Sequence, residues 1–247
     1  MRYLDHPVVS ERYFFPRRQP VADPFVVPVD GAELHCVWRQ APAGGCTVVH
    51  FHGNGEVVGD YASNWPAEFA RRGLGLLLAE YRGYGGSTGR PSLLGMLDDA
   101  VAVLDAAHIP GEQTILYGRS VGSIYALHAA SQRPCRALVL ESGIADPLQR
   151  ILIRARPEEL GATLEQLQAE AKQHLDHEAK LKAVTAPVTV LHTVADHMVS
   201  FDHAERLAAW SGGELVPLRP GDHNSILAYH EATILDRLQA LAAPGAR

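Results

Sequence analysis

The sequence predicts an α/β fold built on a mostly parallel sheet with helices on both faces. Two observations predict it. Short apolar, strand-like runs alternate with stretches of helical periodicity beyond the first twenty residues, with no internal repeat. The chain also has 247 residues, 47% of them apolar and only 20% charged, which suits one globular domain with a sizeable core. That composition excludes a disordered chain, a collagen and a coiled coil. The 22 Lys+Arg against 28 Asp+Glu give a net charge of −6 without basic runs. Nucleic acid and anionic membrane are therefore poor partners, and a small-molecule substrate is the better expectation.

The N-terminal stretch from Met1 to Gln19 carries Arg2, Asp5, Glu11, Arg12, Arg17 and Arg18, so it offers no continuous apolar core of a signal peptide. No apolar stretch approaches the roughly 18 residues of a membrane span. Leu74 to Ala79 is about the richest run. A cytoplasmic protein without integral membrane association is expected, with Cys36, Cys46 and Cys135 as reduced, buried small hydrophobes.

Phe25 to Val29 and Leu34 to Arg39 flank Asp30-Gly31, a hairpin signal, and Thr47 to Phe51 follows the Gly44-Gly45 turn. These are expected to form an antiparallel start to the sheet. The next β-rich runs are Leu74 to Ala79, Thr114 to Tyr117, Ala137 to Leu140, Val188 to His192 and Glu214 to Leu218. The longest segment between two of them, 144–187, reads as a small helical cap. Pro157 suits a first helical turn, and Leu160, Leu164, Leu167, Ala171 and Leu175 fall at spacings of 4, 3, 4 and 4 on one apolar face. Arg150, Arg154 and Arg156 stand just before that helix. They read first as a solvated basic face, with an anionic-substrate sensor as the alternative.

Chemistry enters with Gly118-Arg119-Ser120-Val121-Gly122, between the run Thr114 to Tyr117 and the helical pattern Ser123 to Ala130. A serine on a sharp strand-to-helix turn is exposed to attack a carbonyl, and small residues two before and two after let the strained backbone pass. Ser120 is therefore the candidate nucleophile. His50-Phe51-His52-Gly53-Asn54-Gly55 ends another strand, where a glycine-rich turn can aim backbone N–H groups at a developing oxyanion. Asn54 and Val121 are the candidate donors. His50 and His52, two apart on a strand, would share a face and could hold a metal, but no third ligand has suitable spacing.

Tyr81-Arg82-Gly83-Tyr84-Gly85-Gly86-Ser87-Thr88-Gly89, followed by Pro91-Ser92 and Asp98-Asp99-Ala100, together with Gly118-Arg119-Ser120-Val121-Gly122 and Leu140-Glu141-Ser142, resembles the α/β-hydrolase superfamily. Within it, the chain is most similar to serine aminopeptidase-like or lysophospholipase-like hydrolases, over roughly residues 30–240. The resemblance implies an α/β-hydrolase fold: a single domain over 1–247 with a mostly parallel central sheet flanked by helices and a small helical cap at about 144–187. It further implies the chain order serine, acid, histidine, which places the acid at Asp196 and the base at His223. Glu141 is the rival acid, where some relatives place theirs. His197 and His230 are rival bases; the first lies beside the acid and the second inside the expected final helix.

The chain departs from the family's usual pattern at His192-Thr193-Val194-Ala195-Asp196, where relatives carry glycine after the histidine. A β-branched Thr193 disfavours the positive φ that glycine permits, so a reshaped acid turn is expected. The expected activity is that of a serine hydrolase cleaving an ester-like acyl bond of a small to medium substrate through an acyl-enzyme, with no metal or organic cofactor. Thioester, amide, perhydrolytic and carbon–carbon cleavage use the same three residues, and a non-catalytic ligand-binding relative is the alternative of another class. Haloalkane dehalogenation needs a carboxylate where Ser120 stands.

Overall fold

The computed structural model describes residues 2–243 of the chain; residues 1 and 244–247, the ends of the expected domain, lie outside the described residues. Among the described residues there are eight strands: β1 (Phe25–Val29), β2 (Ala32–Arg39), β3 (Thr47–Phe51), β4 (Gly75–Ala79), β5 (Thr114–Arg119), β6 (Ala137–Glu141), β7 (Val188–Thr193) and β8 (Glu214–Leu218). They form one sheet in the order β1-β2-β4-β3-β5-β6-β7-β8. The β1/β2 and β2/β4 pairs are antiparallel and every later pair is parallel, so Thr47–Phe51, expected in the antiparallel start, lies instead between two parallel neighbours, β4 and β5. The hairpin closes with Val29 opposite Ala32, Gly31 taking a φ of +71° that a side chain would resist. At the far edge β8 has a single neighbour, which lets Pro217 sit in a strand without removing a ladder bond from a second partner.

Central strands are buried at every position, and alternation along them divides the core in two. Val49, Phe51, Leu77, Leu116 and Leu138 face one side, under the helices Gly95–Ala107, Gly122–Gln132 and Phe201–Ser211. Val48, Leu76, Leu78, Ile115 and Val139 face the other, under the helices Trp65–Arg71 and Ile226–Ala242. Two layers of helices thus cover both faces, the arrangement a parallel sheet requires. Cys36 and Cys46 are buried in these cores and Cys135 is partly covered; all three are free thiols.

The segment between β6 and β7 departs from expectation. The apolar spacing from Leu160 to Leu175 belongs to no single helix: a 3₁₀ turn, Pro157–Leu160, ends at Gly161 with φ +64°, and a second helix, Leu164–His174, begins behind a Thr163 cap. Thr163 and Gln166 form a reciprocal capping pair that satisfies the first free N–H groups, so a new start is locally stable. The break rotates Leu164 to the surface at 42% exposure, whereas Leu167 is fully buried. Glu170 on this helix accepts the N–H groups of Tyr3 and Leu4 at 3.1 and 2.8 Å, anchoring the N-terminal segment against it.

Candidate active site

Ser120 sits immediately after β5 with φ +52°, a left-handed conformation that a serine adopts only when its surroundings enforce it. Enforcement comes from packing. A Cβ at Gly118 would lie 2.7 Å from that of Ala126, and one at Gly122 would collide with the Phe51 carbonyl, so the helix Gly122–Gln132 approaches β3 and β5 as closely as backbone allows. The Ser120 N–H donates to the Glu141 carbonyl at 2.8 Å, and the Ser123 hydroxyl donates to the Ser120 carbonyl at 2.6 Å.

The turn after β8 brings His223 over this serine. Its Nε2 lies 3.0 Å from Ser120 Oγ and its Nδ1 2.7 Å from Asp196 Oδ2. Asp196 Oδ1 accepts the N–H groups of Met198 and Val199 at 2.9 and 2.8 Å. Burial alone would raise the Asp196 carboxyl, but hydrogen bonds from His192 and His223, with the Val199 N–H, hold it well below the usual carboxylate range. An ionised Asp196 keeps the proton on His223 Nδ1 and leaves Nε2 to accept the serine hydroxyl.

The acid turn accommodates Thr193 by extending β7: Thr193 is the last strand residue, and no residue from 193 to 200 has a positive φ. The Asp196 N–H then closes onto the Thr193 carbonyl at 3.1 Å. The rival residues lie elsewhere. Glu141 is fully buried and accepts from the Tyr117 hydroxyl and Arg119, with no hydrogen bond to the His223 ring. His197 is exposed, and His230, on the final helix, bonds the Pro220 carbonyl at 2.6 Å.

Asn54 and Val121 both border the cleft beside Ser120. Among the described residues neither backbone N–H is taken by a protein acceptor, whereas the adjacent Gly53 N–H is spent on Glu56 Oε2 at 2.6 Å. The Asn54 side chain fixes its own turn: Nδ2 donates to the Tyr13 carbonyl at 2.5 Å, and Oδ1 accepts the Phe15 N–H and the Tyr84 hydroxyl at 2.9 and 2.8 Å. The N-terminal segment therefore helps build the site. Two N–H groups without a protein acceptor on residues that border the cleft of a serine, one at the N-terminus of a helix, suit a developing oxyanion.

His50 and His52 do not share a face. His50 is packed among Tyr61, Trp65 and Tyr117 on one side of the sheet, where burial pushes its pKa down to about 3. Strand β3 ends at Phe51, and the freed backbone turns His52 toward Tyr81 and Tyr84 on the other side. There His52 bonds Glu80 Oε1 and the Gly53 carbonyl, both at 2.8 Å. Burial opposes a charge on this ring, but the Glu80 carboxylate outweighs it and raises the pKa.

Arg119, passed over in the sequence reading, organises the site. Only 4% exposed, it donates from Nε to Glu56 Oε1 at 2.8 Å, from Nη1 to Glu141 Oε1 at 3.2 Å and from Nη2 to the His223 carbonyl at 3.0 Å. Glu56, despite its burial, is drawn down to about 2 by this guanidinium, while burial keeps the deeper Glu141 raised. The available signal was an arginine inside a strand otherwise buried throughout, a position that demands charged partners.

The cleft over Ser120 has a volume of about 150 Å³; Tyr13, Phe15, Ile153 and Met198 supply apolar walls and Arg150 and Arg154 the charge. A roomier hollow of about 380 Å³ beside Asp105 and Arg133 holds no pairing of a serine with a histidine.

The profile of the family described as serine aminopeptidase, S33, matches residues 45–174. Alpha/beta hydrolase domain-containing protein 17C of Xenopus tropicalis is 30% identical over 216 residues, covering 85% of this chain and 66% of the relative. The Homo sapiens protein of that name is 30% identical over 213 residues, covering 83% and 61%. The chain thus spans under two thirds of these relatives' length. Among solved structures, an esterase from Exiguobacterium antarcticum superposes with a TM-score of 0.67 at 17% identity, covering 90% of this chain and 100% of that one. A monoacylglycerol lipase from Paleococcus ferrophilus gives 0.64 at 17%, covering 84% and 99%. The shared architecture is the α/β-hydrolase fold.

Proposed function

We propose that this chain, which belongs to the serine aminopeptidase, S33, family of α/β hydrolases, is a serine hydrolase that cleaves an ester-like acyl bond through an acyl-enzyme. The observation that carries the reading is the continuous line Ser120 Oγ to His223 Nε2 to Asp196, at 3.0 and 2.7 Å. Ser120 Oγ attacks the carbonyl carbon as its proton passes to His223 Nε2, and Asp196 stabilises the imidazolium that forms. The carbonyl oxygen, now negative, takes the N–H groups of Asn54 and Val121. Collapse expels the alcohol, which leaves with the proton from His223. Water then attacks the acyl-enzyme with His223 again as base, and the acid departs. The chemistry calls on no metal or organic cofactor, and we place it in the cytoplasm.

The cleft of about 150 Å³ favours short to medium acyl chains. Each further CH₂ gains about 0.8 kcal/mol only while apolar surface remains to receive it. Specificity constants on p-nitrophenyl esters from acetate to palmitate test the reading. A rise that ends at short or medium length is expected. A steady rise to palmitate defeats the small-cleft reading, and inertness toward every ester defeats the esterase reading.

A further inference from the structure

We propose that Arg150 and Arg154 bind a negatively charged group of the substrate, so that this hydrolase prefers esters carrying a carboxylate or phosphate close to the scissile carbonyl. The inference rests on Ser120 being the nucleophile. Both arginines border the same cleft as Ser120 and His223. Arg150 lies on the helix Pro147–Leu152, and Arg154 follows one turn later, its N–H bonded to the Ile151 carbonyl at 2.8 Å. Residues at this spacing are neighbours on a helical surface, where like charges repel.

That repulsion is uncompensated. Among the described residues neither guanidinium has a carboxylate partner, whereas Arg12, Arg17 and Arg82 are paired with Glu159, Asp60 and Asp99. Asp146, four residues before Arg150, gives Oδ1 to the Gln149 N–H instead. The third arginine of the cluster, Arg156, is 3.6 Å from Glu159 and is not part of the cleft wall. Of the other charges that border the cleft, Glu56 is matched by Arg119. Arg154 is further held over the Phe15 ring, 5.5 Å from its centroid. Two positive charges therefore border the small, partly apolar cleft that the nucleophile also lines. Guanidinium groups meet planar oxyanions with paired hydrogen bonds, so a carboxylate or phosphate is the ligand chemistry that fits.

The test compares matched esters by the acid they release: monomethyl adipate against methyl hexanoate for a charge on the acyl side, and 1-butyrylglycerol 3-phosphate against 1-butyrylglycerol for a charge on the alcohol side. In at least one pair the wild-type kcat/KM should favour the charged ester by about tenfold or more, the scale of a charge-assisted hydrogen bond. The pair that responds identifies which side carries the anion. In the Arg150→Gln/Arg154→Gln variant the preference should collapse, mainly through KM, and Arg150→Lys/Arg154→Lys should restore part of it. A charged-to-neutral ratio near one in both pairs, or a ratio unchanged in the glutamine variant, overturns the proposal. Calorimetric binding of the same four compounds to Ser120→Ala separates the two readings. Selective binding of a charged ester by a protein that hydrolyses none would sink the hydrolase and keep the anion site, whereas brisk hydrolysis without charge preference would do the reverse.

Discussion

Arg119 donates a hydrogen bond from Nη2 to the main-chain carbonyl of His223 at 3.0 Å, so the residue preceding the serine holds the backbone of the histidine that faces it. The same guanidinium binds Glu56, which takes the Gly53 N–H and so shapes the turn that presents Asn54. It also binds Glu141, whose carbonyl accepts the Ser120 N–H. Two loops and the end of β6 hang on one planar side chain, a role for which its fork of fixed donors is suited and a flexible ammonium is not.

Arg119→Met would leave two carboxylates without their cation. Loss of one member of a buried ion pair costs about 3–5 kcal/mol. A drop of that order in urea unfolding free energy is expected. Arg119→Lys should fold, but one ammonium cannot reach three oxygens that lie in three directions, so kcat should fall with little change in KM. A lysine variant with wild-type kcat would show that the His223 backbone needs no such support.

Asp196→Asn and Glu141→Gln should separate cleanly. The amide at 196 presents the wrong partner to His223 Nδ1, and kcat should fall by roughly 10⁴. Glu141→Gln touches only Tyr117 and Arg119, so its main effect should be a lower unfolding midpoint. The reverse ranking of kcat on one activated ester would transfer the acid's role to Glu141.

The pH dependence of stability has a definite sign. Glu56 is held at about 2 in the folded chain against an ordinary 4.5, so between those values the unfolded chain binds more protons. Its contribution is complete above 4.5 and is lost as the pH falls toward 2. His52 acts in the opposite sense: its raised pKa contributes stability below 6.5 that is lost as the pH rises through the folded value. Urea midpoints from pH 7 to 2 should fall less steeply in Glu56→Gln than in wild type over the acid range. Parallel curves would contradict the assignment.

Two glycine-to-alanine changes should differ widely. At Gly122 the added methyl meets the Phe51 carbonyl, and neither β3 nor the helix can retreat without moving the Ser120 turn. That variant should be recovered unfolded or without activity. At Gly161, φ is +64° but nothing lies within 4 Å, so only the left-handed backbone penalty of roughly 1–2 kcal/mol applies. Circular dichroism melts of the two variants check the contrast.

Much of this architecture is legible in the sequence because buried parallel strands are short, continuous apolar runs. Val188 to His192 and Thr114 to Tyr117 are recovered to within two residues at either end. Ser120 is legible for a related reason, since the two glycines that frame it answer to backbone contacts at fixed offsets. What periodicity missed are features set by partners distant in sequence. Arg119 and Glu56 are 63 positions apart, and no local pattern joins them. The two-residue spacing of His50 and His52 misleads because the strand stops between them, and the apolar spacing across Leu164 misleads because the Thr163 cap restarts the helix.

Reaction with a fluorophosphonate probe, with the modified residue mapped by peptide mass spectrometry, tests whether Ser120 is the nucleophile, because only a serine activated by its neighbours attacks the phosphorus. A single adduct on Ser120 is expected in the wild-type chain and none in Ser120→Ala. Ester turnover in that variant should fall to the residue left by binding and the oxyanion donors, on the order of 10³ to 10⁴ over water. No adduct on the folded wild-type protein, or labelling that persists at another residue in Ser120→Ala, would contradict it.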